Sequence, residues 1–122
     1  MKYSDRQRIA RIYYYAVRLQ SLIDRNHITV DRLVSDEDLH WYVTTPLYNM
    51  GEHASRISQE YRQAHPDIQW NLIAGMRHHL VHDYESTNWE LIAKTIFTDL
   101  PVLIKQLEHL GAGDDASVNK DA

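Results

Sequence analysis

The stretch SDRQRIARIYYYAVRLQSLIDR, residues 4–25, indicates the fold class of this 122-residue chain. Its apolar residues recur three or four positions apart, the spacing that places side chains on one face of an α-helix. The residues of this stripe are Ile9, Ile12, Tyr13, Ala16, Leu19 and Ile23. Ser4 precedes the stripe as a candidate N-cap, so we predict a first helix over residues 5–24 that buries one face.

The next segment with helical spacing covers residues 35–64. It begins with Ser-Asp-Glu-Asp, which resembles a capping box, and its apolar stripe includes Leu39, Val43, Met50 and Ala54. Pro46 lies inside the segment and removes one backbone donor, so we expect it to bend or interrupt this second helix.

Two further helical segments follow the break at residues 65–67. A third helix is predicted to end near residue 82, and Thr87 with Glu90 resembles a capping box that begins a fourth. Pro101 either kinks that helix or starts a fifth one, and Gly111 is a natural stop. The pattern predicts an all-α bundle of four to five helices.

Composition supports one helical domain. Only four Gly and three Pro are present, and 43% of the residues are hydrophobic, which favours long helices around a single core. We predict a domain over residues 1–110 and a disordered tail over residues 111–122, which is rich in Gly, Asp, Ser and Asn. The chain has no cysteine, no signal-peptide-like start and no apolar run near the ~20 residues that cross a bilayer, so we expect a cytoplasmic protein without membrane contact.

Basic and aromatic residues are concentrated in the first helix, although the net charge of the chain is −4. The helix carries five arginines against two aspartates, together with Tyr13, Tyr14 and Tyr15. The arginines could meet RNA or an acidic protein, or simply form a solvated face. The tyrosines could stack on bases, or pack in the core or against a second chain.

The best candidates for a catalytic role are Arg77, His82 and Tyr84, which form the pattern Arg-x4-His-x-Tyr. A histidine that titrates near neutral pH can take a proton from a ribose 2′-hydroxyl or give one to a leaving oxygen. An arginine can hold the scissile phosphate and stabilise the charge that builds on it. Such a site needs no metal ion or other cofactor, because the 2′-oxygen is the nucleophile.

Helix geometry separates two of these side chains. Arg77 and Tyr84 are seven residues apart and share a face, whereas Arg77 and His82 are five apart and point about 140° away from each other on a straight helix. The two side chains can converge only if the helix ends or distorts near His82, or if a second copy of the chain supplies one of them.

Two other interpretations of the histidines remain open on the residues alone. His78 and His82 have the i, i+4 spacing of a zinc or nickel site, although the glutamate of a His-Glu-x-x-His site is absent because residue 79 is His. Alternatively, the histidines end a helix favourably, since cations interact well with a helix C-terminus.

The segment PDIQWNLIAGMRHHLVHDY, residues 66–84, resembles the signature of HepT-like proteins in the HEPN superfamily. Those proteins combine Arg-x4-His-x-Tyr with an upstream Pro-x-Ile-x-Trp and with a glycine two residues before the arginine. Gly51 and Glu52 match a Gly-Glu pair of the family, and Trp89 and Pro101 also fall where relatives have similar residues. The residue after the arginine is often Asn in relatives, and here it is His78. The resemblance extends from about residue 4 to residue 110.

The resemblance implies a metal-independent endoribonuclease toxin of a toxin–antitoxin pair, with a HEPN-type helical bundle. Arg77 and His82 would be catalytic, with Glu52 orienting Arg77 and His78 in a supporting role. A minimal nucleotidyltransferase would be the antitoxin and would transfer AMP from ATP to Tyr84. Members are homodimers whose motifs meet across the interface, and they can form larger assemblies with the antitoxin.

The alternative interpretation is a HEPN-fold binding module without catalysis of its own. Such a module would dock a nucleotidyltransferase partner and would cause no growth defect when produced alone. RNA cleavage by the purified chain discriminates between the two.

Overall fold

The computed structural model describes residues 3–82 and 87–114, without the side chains of residues 81, 82 and 114. All regular secondary structure within these ranges is helical, which confirms the all-α prediction. Four long helical segments form the bundle and two short helices connect them, close to the four to five helices predicted. In the described part of the chain, no helix is long and apolar enough to cross a membrane.

Helix α1, Asp5–Arg25, begins as the sequence predicts. The Ser4 side chain accepts a hydrogen bond from the backbone N–H of Gln7, and the Gln7 side chain accepts one from the backbone N–H of Ser4. This capping box satisfies two backbone donors at the helix start. The predicted stripe faces the core, with Ile9, Ile12, Ala16, Leu19 and Ile23 all buried.

A short helix that the sequence analysis did not predict follows α1. Helix α2, Val30–Ser35, begins at Thr29, whose side chain accepts a hydrogen bond from the backbone N–H of Arg32. His27 has a positive φ of 50°, the left-handed conformation that lets the chain turn sharply between the two helices. Leu33 anchors α2 in the core.

The predicted second helix is two helices. Helix α3, Glu37–Ser55, has Asp36 rather than Ser35 as its N-cap. Helix α4, Gln59–Ala64, has a separate N-cap, Ser58. The prediction of an interruption at Pro46 is wrong, since α3 continues through it. The break comes instead after Ser55, where the Ser58 side chain caps the backbone N–H of Tyr61 and ends the long helix.

The remaining segments are helix α5, Trp70–His82, helix α6, Trp89–Lys94, a π-helical turn, Thr95–Asp99, and helix α7, Leu100–His109. Asn88, not Thr87, caps α6. The π-turn joins α6 to α7 without a gap, and the Leu100 N–H donates to the Thr95 carbonyl five residues back. Pro101 lacks an N–H, so a locally widened helix just before it avoids the clash of a regular turn.

Helix α3 packs against both α1 and α5, and α7 packs against α1. The core is continuous and includes Ile12, Leu19, Val43, Ile92 and Leu107, each at most 1% exposed. It extends just past the predicted domain boundary at residue 110, because Ala112 is buried and opens a 3-10 turn, Ala112–Asp114. The rest of the predicted tail, residues 115–122, lies outside the described residues.

Candidate active site

The site is built where α3 crosses α5. A Cβ atom added to Gly51 on α3 would lie 2.9 Å from the Cβ and the backbone nitrogen of Arg77 on α5, and 3.1 Å from the Ile73 carbonyl oxygen. Real Cβ atoms do not approach other atoms this closely, so only glycine fits at this crossing. The close approach brings the residue after Gly51 beside Arg77.

That residue is Glu52, which holds the guanidinium group of Arg77. Arg77 Nη1 donates a hydrogen bond to Glu52 Oε2 at 2.8 Å and a longer one to Ser55 Oγ at 3.4 Å. The other carboxylate oxygen, Oε1, accepts from Arg56 Nε at 2.8 Å. Glu52 therefore bridges two arginines, and the predicted contact between Glu52 and Arg77 is present.

Electrostatics keep this pair charged. Hydrogen bonds from Arg77 and then Arg56 lower the pKa of the Glu52 carboxyl, and together they outweigh the opposing effect of burial. The same contact with Glu52 raises the pKa of Arg77, to which Tyr48 also contributes. The Arg77 side chain nevertheless remains 39% exposed, so a ligand can reach it. An oriented, solvent-accessible guanidinium is suited to binding a phosphate.

The other predicted site residues are only partly described. His78 is exposed on α5, one residue from Arg77, and its ring lies edge-on to His79 with 6.0 Å between centroids. His82 is the last residue of α5, but its side chain is outside the described residues, and Tyr84 is outside them altogether. The structure therefore brings together Arg77 and Glu52, and it does not test the positions of the His82 and Tyr84 side chains.

Three neighbours of Glu52 were not predicted from the sequence: Tyr48, Ser55 and Arg56. Tyr48 and Ser55 lie on α3 and Arg56 is its C-cap, and all are within four residues of Glu52, the spacing that places helical side chains side by side. Once Glu52 was expected to contact Arg77, this spacing alone could have identified them.

A second polar cluster lies behind the site, between α1 and α3. His53 is buried, its Nδ1 accepts a hydrogen bond from Arg8 Nη1 at 3.2 Å, and its ring meets Tyr3 edge-on at 5.1 Å. Burial, followed by the nearby charges of Arg8 and Arg11, lowers the pKa of His53 to about 4. A histidine that is neutral at physiological pH fits a structural role here.

The described residues contain no group of three or more His, Asp or Glu side chains that could hold a metal ion. His82 belongs to the proposed pair of metal ligands, so the histidine-metal interpretation rests partly on a side chain that lies outside this set.

Comparison with known proteins gives a consistent family match. The family model described as "Ribonuclease HepT-like" matches residues 8–110. A protein of Caldanaerobacter subterraneus subsp. tengcongensis named "Putative RNase" is 33% identical over 73% of this chain and 80% of its own length. A Methanocaldococcus jannaschii protein with the same designation is 26% identical over 83% of this chain and 84% of its own. The "Probable ribonuclease HepT" of Thermococcus cleftensis is 29% identical over 68% and 76%. No solved structure matches the chain.

Proposed function

The chain belongs to the HepT-like ribonuclease family and is an endoribonuclease, and we propose that it is the metal-independent toxin of a toxin–antitoxin pair. In this proposal it acts in the cytoplasm on RNA and uses no cofactor. The nucleophile is the ribose 2′-hydroxyl of the substrate itself, so no metal-bound water is needed for the attack.

The observation that carries the proposal is the contact between Glu52 and Arg77. Glu52 Oε2 holds Arg77 Nη1 at 2.8 Å, while the side chain of Arg77 stays 39% exposed. One edge of the guanidinium is thus fixed by the protein, and no described residue accepts a hydrogen bond from its other N–H groups, which can donate to a phosphate. Arg77 is the proposed phosphate clamp, and Glu52 is its positioning residue.

His82 is the proposed general acid or base, and His78 has a supporting role beside Arg77. As the 2′-oxygen attacks phosphorus, either His82 or a water molecule takes the proton of the 2′-hydroxyl, and the other of the two gives a proton to the 5′-oxygen as it leaves. The P–O5′ bond breaks as the P–O2′ bond forms, which gives a 2′,3′-cyclic phosphate and a free 5′-hydroxyl. Arg77 stabilises the negative charge that builds on the non-bridging oxygens.

A homodimer completes the site in this proposal. The backbone of α5 is α-helical from Trp70 to His82, so positions 77 and 82 lie about 140° apart around the helix axis. Their divergence supports a site in which one protomer supplies Arg77 and its partner supplies the histidine. Two such sites would form around one two-fold axis.

The proposed control point is Tyr84. A nucleotidyltransferase antitoxin would position ATP so that the Tyr84 oxygen attacks the α-phosphorus, which forms a Tyr–AMP phosphodiester and releases pyrophosphate. Tyr84 lies seven residues from Arg77, so a helix that continued past His82 would place both on one face. A bulky anion there would compete with the RNA phosphate for Arg77.

Cleavage of RNA by the purified protein in EDTA tests the proposal directly. The wild-type chain should cut RNA and leave cyclic phosphate ends, while Arg77→Ala and His82→Ala should each lose this activity. Intact RNA with the wild-type protein would instead favour a binding module that docks a nucleotidyltransferase. Cleavage that survives His82→Ala would remove His82 from the mechanism.

A further inference from the structure

A groove between α1 and α3 lies apart from Arg77 and is lined by aromatic and basic side chains. Its wall on α1 includes Tyr14, Tyr15, Arg18 and Arg25, and its wall on α3 includes Trp41 and Tyr42. Trp41 is 66% exposed and Tyr42 is 64% exposed, although large aromatic rings usually find cover. Such rings in a groove are available to stack on a planar ligand.

The charge of the groove is positive. Arg18 and Arg25 are its charged lining residues, and neither makes an ion pair within the part of the chain that the structure describes. Arg18 Nη1 donates to the Tyr14 hydroxyl at 3.0 Å, and Arg25 Nε donates weakly to the Ser21 carbonyl at 3.4 Å. Asp38 lies beyond the groove, in a shallow depression that it shares with Trp41 and Tyr42.

A buried arginine, Arg11, adds to the positive charge of the groove. Arg11 is only 5% exposed, and its guanidinium lies 4.8 Å from the Tyr14 ring centroid and 5.0 Å from that of Tyr15. Its Nη2 donates to the Tyr15 hydroxyl at 3.0 Å, while its buried Nη1 has no hydrogen-bond partner among the described residues. An unneutralised charge in a low-dielectric setting acts over a longer range than a solvated one.

The groove leads towards the candidate active site along one face of α3. Trp41, Tyr48 and Glu52 share this face, because seven and eleven residues are close to whole numbers of helical turns. Trp41 and Glu52 are about 16 Å apart along the helix axis at 1.5 Å per residue. Tyr48 lies between them and is itself 36% exposed and close to Arg77. The face thus offers a path of aromatic rings that ends at the proposed phosphate clamp.

We propose that this groove is a binding subsite for single-stranded RNA, in which Trp41, Tyr42 and Tyr14 stack on bases while Arg18 and Arg25 contact phosphates. The inference rests on the proposed function and adds a substrate class to it. Stacking rings tolerate any base, and arginines beside them track the backbone, which is how single strands are held without sequence preference. At a rise of about 3.4 Å per stacked nucleotide, a strand that reaches from Trp41 to Arg77 spans roughly five nucleotides.

Binding of an RNA that cannot be cleaved tests the groove separately from catalysis. The probe is a fluorescein-labelled single-stranded 12-mer with 2′-O-methyl riboses, and its affinity is measured by fluorescence anisotropy. Trp41→Ala should weaken binding by about 5- to 150-fold, the usual cost of losing one stacking ring. The double variant Arg18→Gln/Arg25→Gln should weaken it too, and should reduce the dependence of log K on log salt by about 1.4.

Two matched controls separate the groove from general surface effects. Leu91→Ala removes an exposed apolar side chain from α6, and Arg32→Gln removes an exposed arginine from α2. Both should bind the 12-mer as the wild type does. A second readout is cleavage: Trp41→Ala should lower kcat/KM on a 12-mer and leave it unchanged on a dinucleotide, which is too short to reach the groove.

Three results would overturn the inference. The first is that the groove variants bind the 12-mer as tightly as the wild type, and the second is that they lose no more affinity than the controls do. The third is that Trp41→Ala sediments differently from the wild type, because a change of oligomeric state would make this face a contact between protein chains. If the wild-type protein binds the 12-mer through the groove but cuts no RNA, the catalytic proposal fails and the subsite stands.

Discussion

Gly51 lies so close to Arg77 that a Cβ at residue 51 would be 2.9 Å from both the Cβ and the backbone nitrogen of Arg77. The Ile73 carbonyl oxygen would be 3.1 Å away. Backbone atoms cannot rotate out of the way, so Gly51→Ala must push α3 from α5. We expect the free energy of unfolding to fall by about 1–3 kcal/mol, measured by urea denaturation.

Gly75 supplies the matched control two residues before Arg77. A Cβ there would meet no atom within 4 Å, and the residue lies inside α5. Gly75→Ala should therefore stabilise the protein by about 0.5–1 kcal/mol, because alanine loses less backbone entropy in a helix. Equal effects of the two substitutions would show that the close crossing at Gly51 does not limit stability.

The sequence predicts the helices where local chemistry decides them. Ser4 and Gln7 form a capping box that depends only on neighbours three residues apart, so the start of α1 is correct. The end of α3 depends on Ser58 capping a new helix and on the packing of Ile57 in the core, and no local pattern separated it from α4. Pro46 predicts an interruption that is absent, since α3 continues through it. The packing of α3 against α1 and α5 outweighs one missing backbone hydrogen bond.

The candidate site could be predicted only in part, because its contacts join residues that are far apart along the chain. The contact between Glu52 and Arg77 joins residues 25 apart, and the family resemblance, not the spacing, indicated it. Its structural cause, the closeness of α3 and α5 at Gly51, appears only when the helices are packed. The groove of Tyr14 and Trp41 likewise needs α1 and α3 side by side before its aromatic rings share one surface.

Glu52→Gln should reduce RNA cleavage without unfolding the protein. The amide keeps the size of the side chain but loses the charge that holds Arg77 Nη1 at 2.8 Å. A hydrogen bond to a charged group contributes about 1.5–3 kcal/mol, so we expect kcat to fall about 10- to 100-fold. Circular dichroism and the melting temperature should change little, and a fall in melting temperature that matches the loss of activity would indicate a structural role.

The matched variant for Glu52 is Arg56→Gln, because Arg56 binds the other carboxylate oxygen. Arg56 is 61% exposed, and such pairs contribute little to stability. If Glu52 acts through Arg77, Arg56→Gln should lower kcat by less than about threefold. A loss as large as that of Glu52→Gln would show that Glu52 does not act through Arg77 alone.

Stability should depend on pH through His53. Its pKa is about 4 in the folded protein and 6.5 in the unfolded chain, so the unfolded chain takes up the proton first as the pH falls. The contribution of neutral His53 is therefore intact above pH 6.5 and declines between pH 6.5 and 4. The loss is at most about 3 kcal/mol, measurable by urea denaturation across this range.

Two variants test this assignment. His53→Gln removes the titrating group, and its control, His109→Gln, changes an exposed residue of α7. The glutamine at residue 53 should flatten the decline between pH 6.5 and 4, whereas His109→Gln should keep it. A decline that is equally steep in His53→Gln would assign the effect to other groups.

Tyr84 should be the residue that accepts AMP. After incubation of the chain with the proposed nucleotidyltransferase partner and ATP, mass spectrometry should find one or more AMP groups on the peptide that contains Tyr84, and RNA cleavage should stop. Tyr84→Phe should keep cleavage and resist inactivation by the partner. An adduct on another peptide, or inactivation of Tyr84→Phe at the wild-type rate, would refute this control point.

Mixing two inactive variants should restore cleavage if the active site is shared between two protomers. Positions 77 and 82 are about 140° apart around the axis of α5, so each site would draw the arginine from one chain and the histidine from the other. In a heterodimer of Arg77→Ala and His82→Ala, one site then has both residues intact and the other has neither. Random exchange makes half of the dimers heterodimers, so about a quarter of the wild-type activity should return. No recovery, with subunit exchange verified by native mass spectrometry, would mean that a single chain bends near His82 and completes its own site.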